Sequence, residues 1–380
     1  MDVKDRQRLF LNIAFFLSGI CFSTWTSRIP TIKSLFEYND AELGTVLLFM
    51  PIGSLAGLPL SGWLVSKFDS RQPMTAGLIL LAIAMAFIGL AQSTFLLIVA
   101  VTVFSFSMRI MNISLNTQAI TLQKQFDKKI NGMFHGMWST GGIAGIAIST
   151  FFVALDIPMS IHVSVISSLA ILTALYSYQH LLTGDRSTSG NKLSMSKPDP
   201  YIVYLGLLAF FAAICEGGMF DWSGVYFKEV VKEDLFTLGY LIFMICMALS
   251  RFASDRMMDL FGMPRTYLIS SALIILGIGL AVVFPYFWSA LFGFCLIGIG
   301  TAAIIPMTFL LAGSAKKYSP GVTISLIATY SIAGMLLGPP LIGYVSHALG
   351  LRIAFVIFAL AGLMLIPISQ LFFRHQKLLK

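Results

Sequence analysis

Charged residues are scarce in this chain. Asp, Glu, Lys and Arg make up only 11% of its 380 residues, whereas 57% are hydrophobic, and the mean hydropathy is +0.86. A water-soluble domain of this length cannot bury so large a share of apolar surface. The composition therefore excludes an ordinary soluble enzyme and predicts a protein that is surrounded by lipid.

Cysteine is also scarce. The four residues, Cys21, Cys215, Cys246 and Cys295, all lie in apolar stretches and none has CxxC spacing, so we expect neither a disulfide framework nor a zinc site. No glycine-rich nucleotide loop and no hydrolytic triad is evident in the sequence. We therefore expect no metal, no cofactor and no enzymatic activity.

What the chain does contain is twelve long apolar stretches in two sets of six, each near the length of about 20 residues that a helix needs to cross a bilayer. They lie at about 9–27, 41–66, 73–92, 95–118, 134–154 and 159–181, and again at about 201–222, 236–256, 265–284, 287–312, 321–345 and 351–373. The second set echoes the first, as in Trp138-Ser139-x-x-Gly142 and Tyr330-Ser331-x-x-Gly334.

This duplication predicts an all-α polytopic membrane protein with twelve transmembrane helices in two pseudo-symmetric bundles. We place the bundles at 1–181 and 201–380, joined by a polar, Ser- and Gly-rich linker at 182–200. Two halves that can rock against each other suit alternating access, and hence transport.

The distribution of positive charge predicts the topology. A net charge of +8 would fit nucleic acid binding, but the Lys and Arg residues are concentrated in every second loop and not on one surface. If the N-terminus is cytoplasmic, most of the 25 Lys and Arg residues fall on the cytoplasmic side; the outer loops hold only Arg28, Lys33, Lys228, Lys232 and Arg352. We therefore expect both termini and the linker to lie in the cytoplasm. We expect the protein to be embedded in a lipid bilayer and not to bind nucleic acid.

The loops after spans two and eight carry a shared pattern. It reads Gly62-Trp-Leu-Val-Ser66-Lys67-Phe-Asp69-Ser-Arg71 in the first half and Asp255-Arg256-Met-Met-Asp259-Leu-Phe-Gly262-Met-Pro-Arg265 in the second. Both copies resemble the Gly-x-x-x-Asp-Arg-x-Gly-Arg signature of the major facilitator superfamily. The first copy has Ser66 where the family has Asp, and the second copy has Asp255 where the family has the leading glycine. The resemblance implies that superfamily's fold and a cytoplasmic conformational latch, for which the candidates are Lys67, Arg71, Arg251, Asp255, Asp259 and Arg265.

Further segments resemble a bacterial branch near the fucose–galactose–hexose proton symporters, and they occur in the same order. They are Trp25-Thr-Ser-Arg28-Ile-Pro30, Ala41-Glu42-Leu-Gly44, Asn116, His135-Gly136, Glu216-Gly217-x-x-x-Asp221-Trp222, Arg251-Phe252 and Gly338-Pro339-Pro340-x-x-Gly343. The resemblance covers nearly the whole chain and implies a transporter of the inner membrane. Because many members of that branch have no assigned substrate, it does not identify the solute.

In this family, spans one, four, seven and ten line the central cavity. Glu216 lies well inside span seven, where an ionised carboxylate is costly unless it finds a partner or faces water. We predict that it carries the coupled proton; the alternative is a structural carboxylate that ties two helices together. Asp221, five residues later, is either a second proton site or an ordinary acid at the end of the helix.

Arg109, Asn112 and Asn116 form a stripe along one face of span four. A guanidinium and two amides suit the hydroxyls or the carboxylate of a solute. The alternative for Arg109 is an internal ion pair with Glu216. The resemblance implies an essential acid in span four, as in the sugar symporters of the family, but this chain has none there. We therefore expect the proton site in span seven, and this departure from the family weakens the sugar assignment.

Asn12, Trp25 and Trp222 are further candidate solute ligands, although both tryptophans would also suit an aromatic belt at the membrane interface. Taken together, the sequence predicts a monomeric, proton-coupled transporter of a small polar solute, either sugar-like or an organic anion. The alternatives are a drug or metabolite exporter of the same fold and a membrane sensor that does not transport.

Overall fold

The computed structural model describes residues 2–127, 130–186, 199–313 and 320–378, and within these ranges every regular element is a helix. Twelve helical segments in the described ranges are long and apolar enough to cross a membrane. The prediction of an all-α polytopic membrane protein is therefore confirmed. Most of the predicted linker, residues 187–198, lies outside the described ranges.

The first six spans are single helices, and each bound lies within about eight residues of its prediction. They are α1 (Val3–Leu35), α2 (Asp40–Lys67), α3 (Arg71–Leu90), α4 (Thr94–Gln123), α5 (Asn131–Ala154) and α6 (Met159–Tyr178).

The other six spans contain eight α-helices, because spans ten and twelve are each divided. They are α7 (Pro200–Tyr226), which a π-helical turn extends over Phe227–Val231, α8 (Thr237–Phe261), α9 (Met263–Val283), α10 (Phe287–Ala302), α11 (Ile304–Gly313), α12 (Pro320–Leu349), α13 (Leu351–Ala354) and α14 (Val356–Leu378). Span ten divides where Pro306 cannot donate the backbone hydrogen bond that would continue the helix from Ala302.

Local sequence sets the starts of several helices. Ser93 caps α4 by accepting from the Leu96 backbone N–H at 3.3 Å, and Asp199 caps α7 by accepting from the Tyr201 N–H at 2.7 Å. Pro200 occupies the first position of α7, where its ring fixes the φ angle at a value that suits a helix. Short polar caps between apolar runs therefore define where these spans begin.

The helices form two compact units. The first comprises Met1–Phe36 and Val46–Lys192, and the second Glu37–Thr45 and Leu193–Lys380. In the first unit, α1 packs on α5, and α3 packs on α4 and α6; in the second, α7 packs on α12 and α14, and α9 on α10 and α14. The same pairing of equivalent spans therefore recurs in both units.

Glycine permits the closest of these helix contacts. A Cβ atom on Gly141 of α5 would collide with the carbonyl oxygen of Phe16 in α1, and one on Gly334 of α12 would collide with that of Phe210 in α7. Small residues let helix backbones approach closely in membranes, where van der Waals packing is a main source of association. These two contacts pack α1 on α5 in the first unit and α7 on α12 in the second, and the two helix pairs are equivalent.

Candidate functional site

Polar side chains inside the first unit centre on Arg109, which is half-buried in α4. Its Nε donates to the hydroxyl of Ser54 in α2 at 2.9 Å. Gly57, one turn along α2, leaves room for the arginine stem, because a Cβ there would lie 3.1 Å from Arg109 Cβ. Nε is therefore engaged by α2, and the remaining guanidinium nitrogens can donate to another group.

The two asparagines of the stripe lie on the same face of α4 and are also half-buried. The Asn116 side-chain amide donates to the backbone oxygen of Asn112 at 2.8 Å, which uses one of its hydrogen-bonding groups within the helix. The Asn116 side-chain oxygen still can accept. The stripe thus offers both donors and acceptors, while its contact with a solute stays a prediction.

Three polar atoms on α1 are buried with no hydrogen-bond partner among the described residues. They are Oδ1 of Asn12, whose residue is 5% exposed, Oγ1 of the fully buried Thr24, and Nε1 of Trp25, whose residue is 2% exposed. The Trp25 ring lies 6.1 Å from that of Phe104 in α4. A buried polar atom without a partner is costly, so each is available to a water or a solute that reaches it.

In the second unit, Glu216 and Arg251 form an ion pair that the sequence did not reveal. Glu216 of α7 is 5% exposed, and its Oε1 accepts from Arg251 Nη2 of α8 at 2.8 Å. The sequence pattern instead groups Arg251 with the cytoplasmic latch and offers Arg109 as the partner of Glu216. A signal for the observed pair exists: Glu216 lies fifteen residues before Val231 and Arg251 fourteen after Thr237, at matching depths in adjacent antiparallel spans.

Asp221 lies five residues after Glu216 in α7 and is half-buried. No described residue forms an ion pair or a hydrogen bond with it. Five residues correspond to well over one helical turn, so the two carboxylates do not share one helix face. Asp221 therefore is not part of the ion pair, and its role in proton transfer stays a prediction.

Trp222 is fully buried and its indole N–H is engaged by the protein. Nε1 donates to the carbonyl oxygen of Pro339 in α12 at 3.0 Å, beside the two adjacent prolines. Together with the burial of Trp25, this corrects the interpretation of either ring as an interfacial belt residue, because belt tryptophans face lipid headgroups. Contact of Trp222 with a solute would require these helices to separate.

The first copy of the signature is held by residues that the sequence analysis missed. Asp185, just beyond α6, accepts at 2.8 Å from the backbone N–H of Ser70 and also from its hydroxyl. Arg186 pairs with Asp69 at 3.3 Å. Ser66, which replaces the acid of the signature, donates only to the carbonyl oxygen of Trp63 in its own helix. A carboxylate from 115 residues away therefore anchors this loop.

Two of the six predicted latch residues contact aromatic rings in this structure. The Lys67 ammonium lies 4.9 Å from the Trp63 ring centre, and the Arg71 guanidinium lies 4.8 Å from that of Tyr178. Among the described residues, neither Asp259 nor Arg265 forms an ion pair, and both are exposed. The structure does not describe the side chain of Asp255.

Comparison with known proteins identifies the class. The family model described as Major Facilitator Superfamily matches residues 11–331 and 235–378, so the chain belongs to that superfamily and is a membrane transporter. It is 29% identical to the membrane protein MosC of Rhizobium meliloti over 95% of this chain and 89% of that one. An uncharacterized MFS-type transporter of Yersinia pestis is also 29% identical, over 92% and 91%.

Solved structures share the fold at low identity. The nucleoside transporter NupG is 14% identical with a TM-score of 0.75, covering 98% of this chain and 99% of NupG. A bacterial homologue of the human lysosomal transporter Spinster is 15% identical with a TM-score of 0.77, covering 98% of each chain. The superfamily fold is thereby confirmed. The branch near the fucose–galactose–hexose symporters is not confirmed by these relatives.

Proposed function

We propose that this transporter moves a small polar solute, sugar-like or an organic anion, across the inner membrane by alternating access with proton coupling. The observation that carries the proposal is the Glu216–Arg251 pair. An ion pair inside an apolar bundle loses much of the hydration of both partners, so removing the charge of one partner leaves the other without compensation.

Protonation of Glu216 has a direct consequence for Arg251. The neutral acid no longer compensates the guanidinium, whose side chain is 31% exposed and can donate to another acceptor. Binding of a proton would thereby favour binding of an anionic or hydroxyl-rich solute in the same unit. This exchange of partners supports coupling in the symport direction.

The polar stripe of the first unit supports the same class of solute. Arg109 cannot lose its charge in a protein and prefers planar acceptors such as carboxylates. Asn112 and Asn116 add amides that suit hydroxyl groups. A carrier of bulky apolar compounds gains nothing from an arginine and two amides on one helix face.

The test is uptake by liposomes that contain purified protein, with and without an imposed pH gradient, for the compound that a thermal-shift screen of sugars, organic acids and nucleosides identifies. Glu216→Gln keeps the size of the side chain and mimics the protonated acid. We expect it to lose accumulation driven by the gradient while it retains exchange of solute for solute, because exchange does not require proton release.

Asp221→Asn is the matched control, since it removes a carboxylate from the same helix outside the ion pair. We expect it to retain most of the gradient response. If Glu216→Gln still accumulates solute in response to the gradient, the proton site lies elsewhere or the coupling ion is not a proton.

A second candidate, an anion exporter, is favoured by one relative. A protein named Nitrite extrusion protein, from Bacillus subtilis, is 27% identical over 50% of this chain and 48% of its own length. In export by exchange with protons, the same carboxylate would bind the proton, but the proton and the solute would move in opposite directions. The liposome assay distinguishes the two, because an antiporter accumulates solute only when the gradient is reversed.

A further inference from the structure

We propose that the second unit binds an anionic phospholipid where α9, α11 and α14 meet at the end of the unit that the Lys/Arg bias places in the cytoplasm. A cavity of about 650 Å³ lies there. Its walls combine apolar side chains, Met263, Leu268 and Phe373, with the polar Gln370, Arg374 and Lys377. This volume lies in the usual range for small-molecule pockets, about 300–1,000 Å³.

The charge in the cavity favours an anion. Arg374 and Lys377 are three residues apart on α14, which places them on one face of the helix, and both are exposed. No carboxylate among the described residues pairs with either of them. Lys377 lies in the last turn of α14, where the helix dipole stabilises a cation. The dipole does not account for Arg374, which precedes that turn, or for the position of both cations beside an apolar cavity.

The apolar walls favour a lipid over a free anion. Leu363 lies two turns before Gln370 on the same stripe of α14 and is 44% exposed, and Leu276 on α9 is 59% exposed. Both lie nearer the middle of their spans than the cavity-lining residues of the same helices, so α9 and α14 also expose apolar side chains toward the middle of the spans. A phosphate held by Arg374 and Lys377 would direct an acyl chain along this surface. Basic pockets between transmembrane helices on the cytoplasmic side suit such headgroups.

Native mass spectrometry of the purified full chain tests the proposal. The probes are phosphatidylglycerol and phosphatidylcholine with identical acyl chains. We expect tighter binding of phosphatidylglycerol. Each cation near an anionic headgroup contributes about a fivefold factor, so Arg374→Gln with Lys377→Gln should weaken that binding roughly 30-fold, and Lys377→Gln alone about fivefold.

The matched control is Arg6→Gln with Lys124→Gln, which removes two exposed cations from the first unit. It should leave phosphatidylglycerol binding unchanged. Melting temperatures in neutral detergent without added lipid check that each variant is folded, and the single Lys377→Gln variant serves if the double variant is not.

Three results would overturn the proposal. Equal binding of the two lipids would show that the charges do not recognise the headgroup. An equal loss in the control variant would indicate a general effect of net charge. If inorganic phosphate alone raises the melting temperature as much as phosphatidylglycerol does, the site recognises a free anion and not a lipid.

Discussion

At the scale of single residues, two half-buried arginines of the protein's polar interior are held in different ways. Arg109 is positioned by a neutral hydroxyl, that of Ser54, whereas Arg251 is positioned by a carboxylate, that of Glu216. A cation held by a hydroxyl keeps its net charge, so an incoming anion can supply the missing compensation. A cation held by a carboxylate becomes available only when the acid is neutralised.

This difference predicts the behaviour of Arg109 variants. Arg109→Ala should abolish binding of the compound that the thermal-shift screen identifies. Arg109→Lys should also impair it strongly, because one ammonium cannot replace a planar fork of donors. Ser54→Ala, the matched control, removes only the group that orients Nε and should reduce affinity by about tenfold or less, in line with about 1 kcal/mol for one hydrogen bond. The melting-temperature shift against compound concentration gives these affinities.

Normal affinity in folded Arg109→Ala and Arg109→Lys variants would assign Arg109 a structural role. It would also remove the main reason to expect a polar or anionic solute in the first unit.

At the scale of elements, the segment after α6 anchors the loop between α2 and α3. Ser70 is fully buried, and both its N–H and its hydroxyl donate to Asp185. Asp185→Ala would leave those donors without a partner, so we expect a loss of about 1–3 kcal/mol in stability. Arg186→Gln should change stability by less than about 1 kcal/mol, because the Arg186 side chain is 66% exposed in its pair with Asp69.

Thermal unfolding of the two variants in the same detergent measures this difference. Equal melting temperatures for Asp185→Ala and the wild type would mean that water replaces the carboxylate and that the segment does not anchor the loop.

The elements themselves were largely predictable, whereas the contacts between them were not. Every span followed from the length of an apolar run, because a bilayer imposes that length and requires internal backbone hydrogen bonds. The anchor by Asp185 could not be predicted, since nothing local relates it to Ser70 across 115 residues. Glu216 was found because a buried acid stands out in an apolar span, but its partner depended on the relative rotation of α7 and α8.

At the scale of the whole molecule, the asymmetric distribution of Lys and Arg is the basis for the orientation. Positive loops are retained in the cytoplasm during insertion, and an even number of spans returns the chain to the side where it began. The twelve spans in the described ranges fit that parity. This orientation determines the side of the membrane on which the signature loops and the proposed lipid site lie. It also determines the direction of proton coupling.

The orientation can be tested by cysteine labelling of intact cells, starting from a chain in which the four native cysteines are replaced by serine. Gly190→Cys lies in the predicted cytoplasmic linker, and Tyr286→Cys lies in the predicted outer loop between α9 and α10, where Tyr286 is 72% exposed. With a membrane-impermeant maleimide, we expect labelling of Tyr286→Cys in intact cells and of Gly190→Cys only after the membrane is permeabilised. The paired sites control for expression and for reagent access, since each variant must react under one of the two conditions. The reverse pattern would place both termini outside and invert the sign of every coupling experiment, because the pH gradient would then act on the opposite face of the protein.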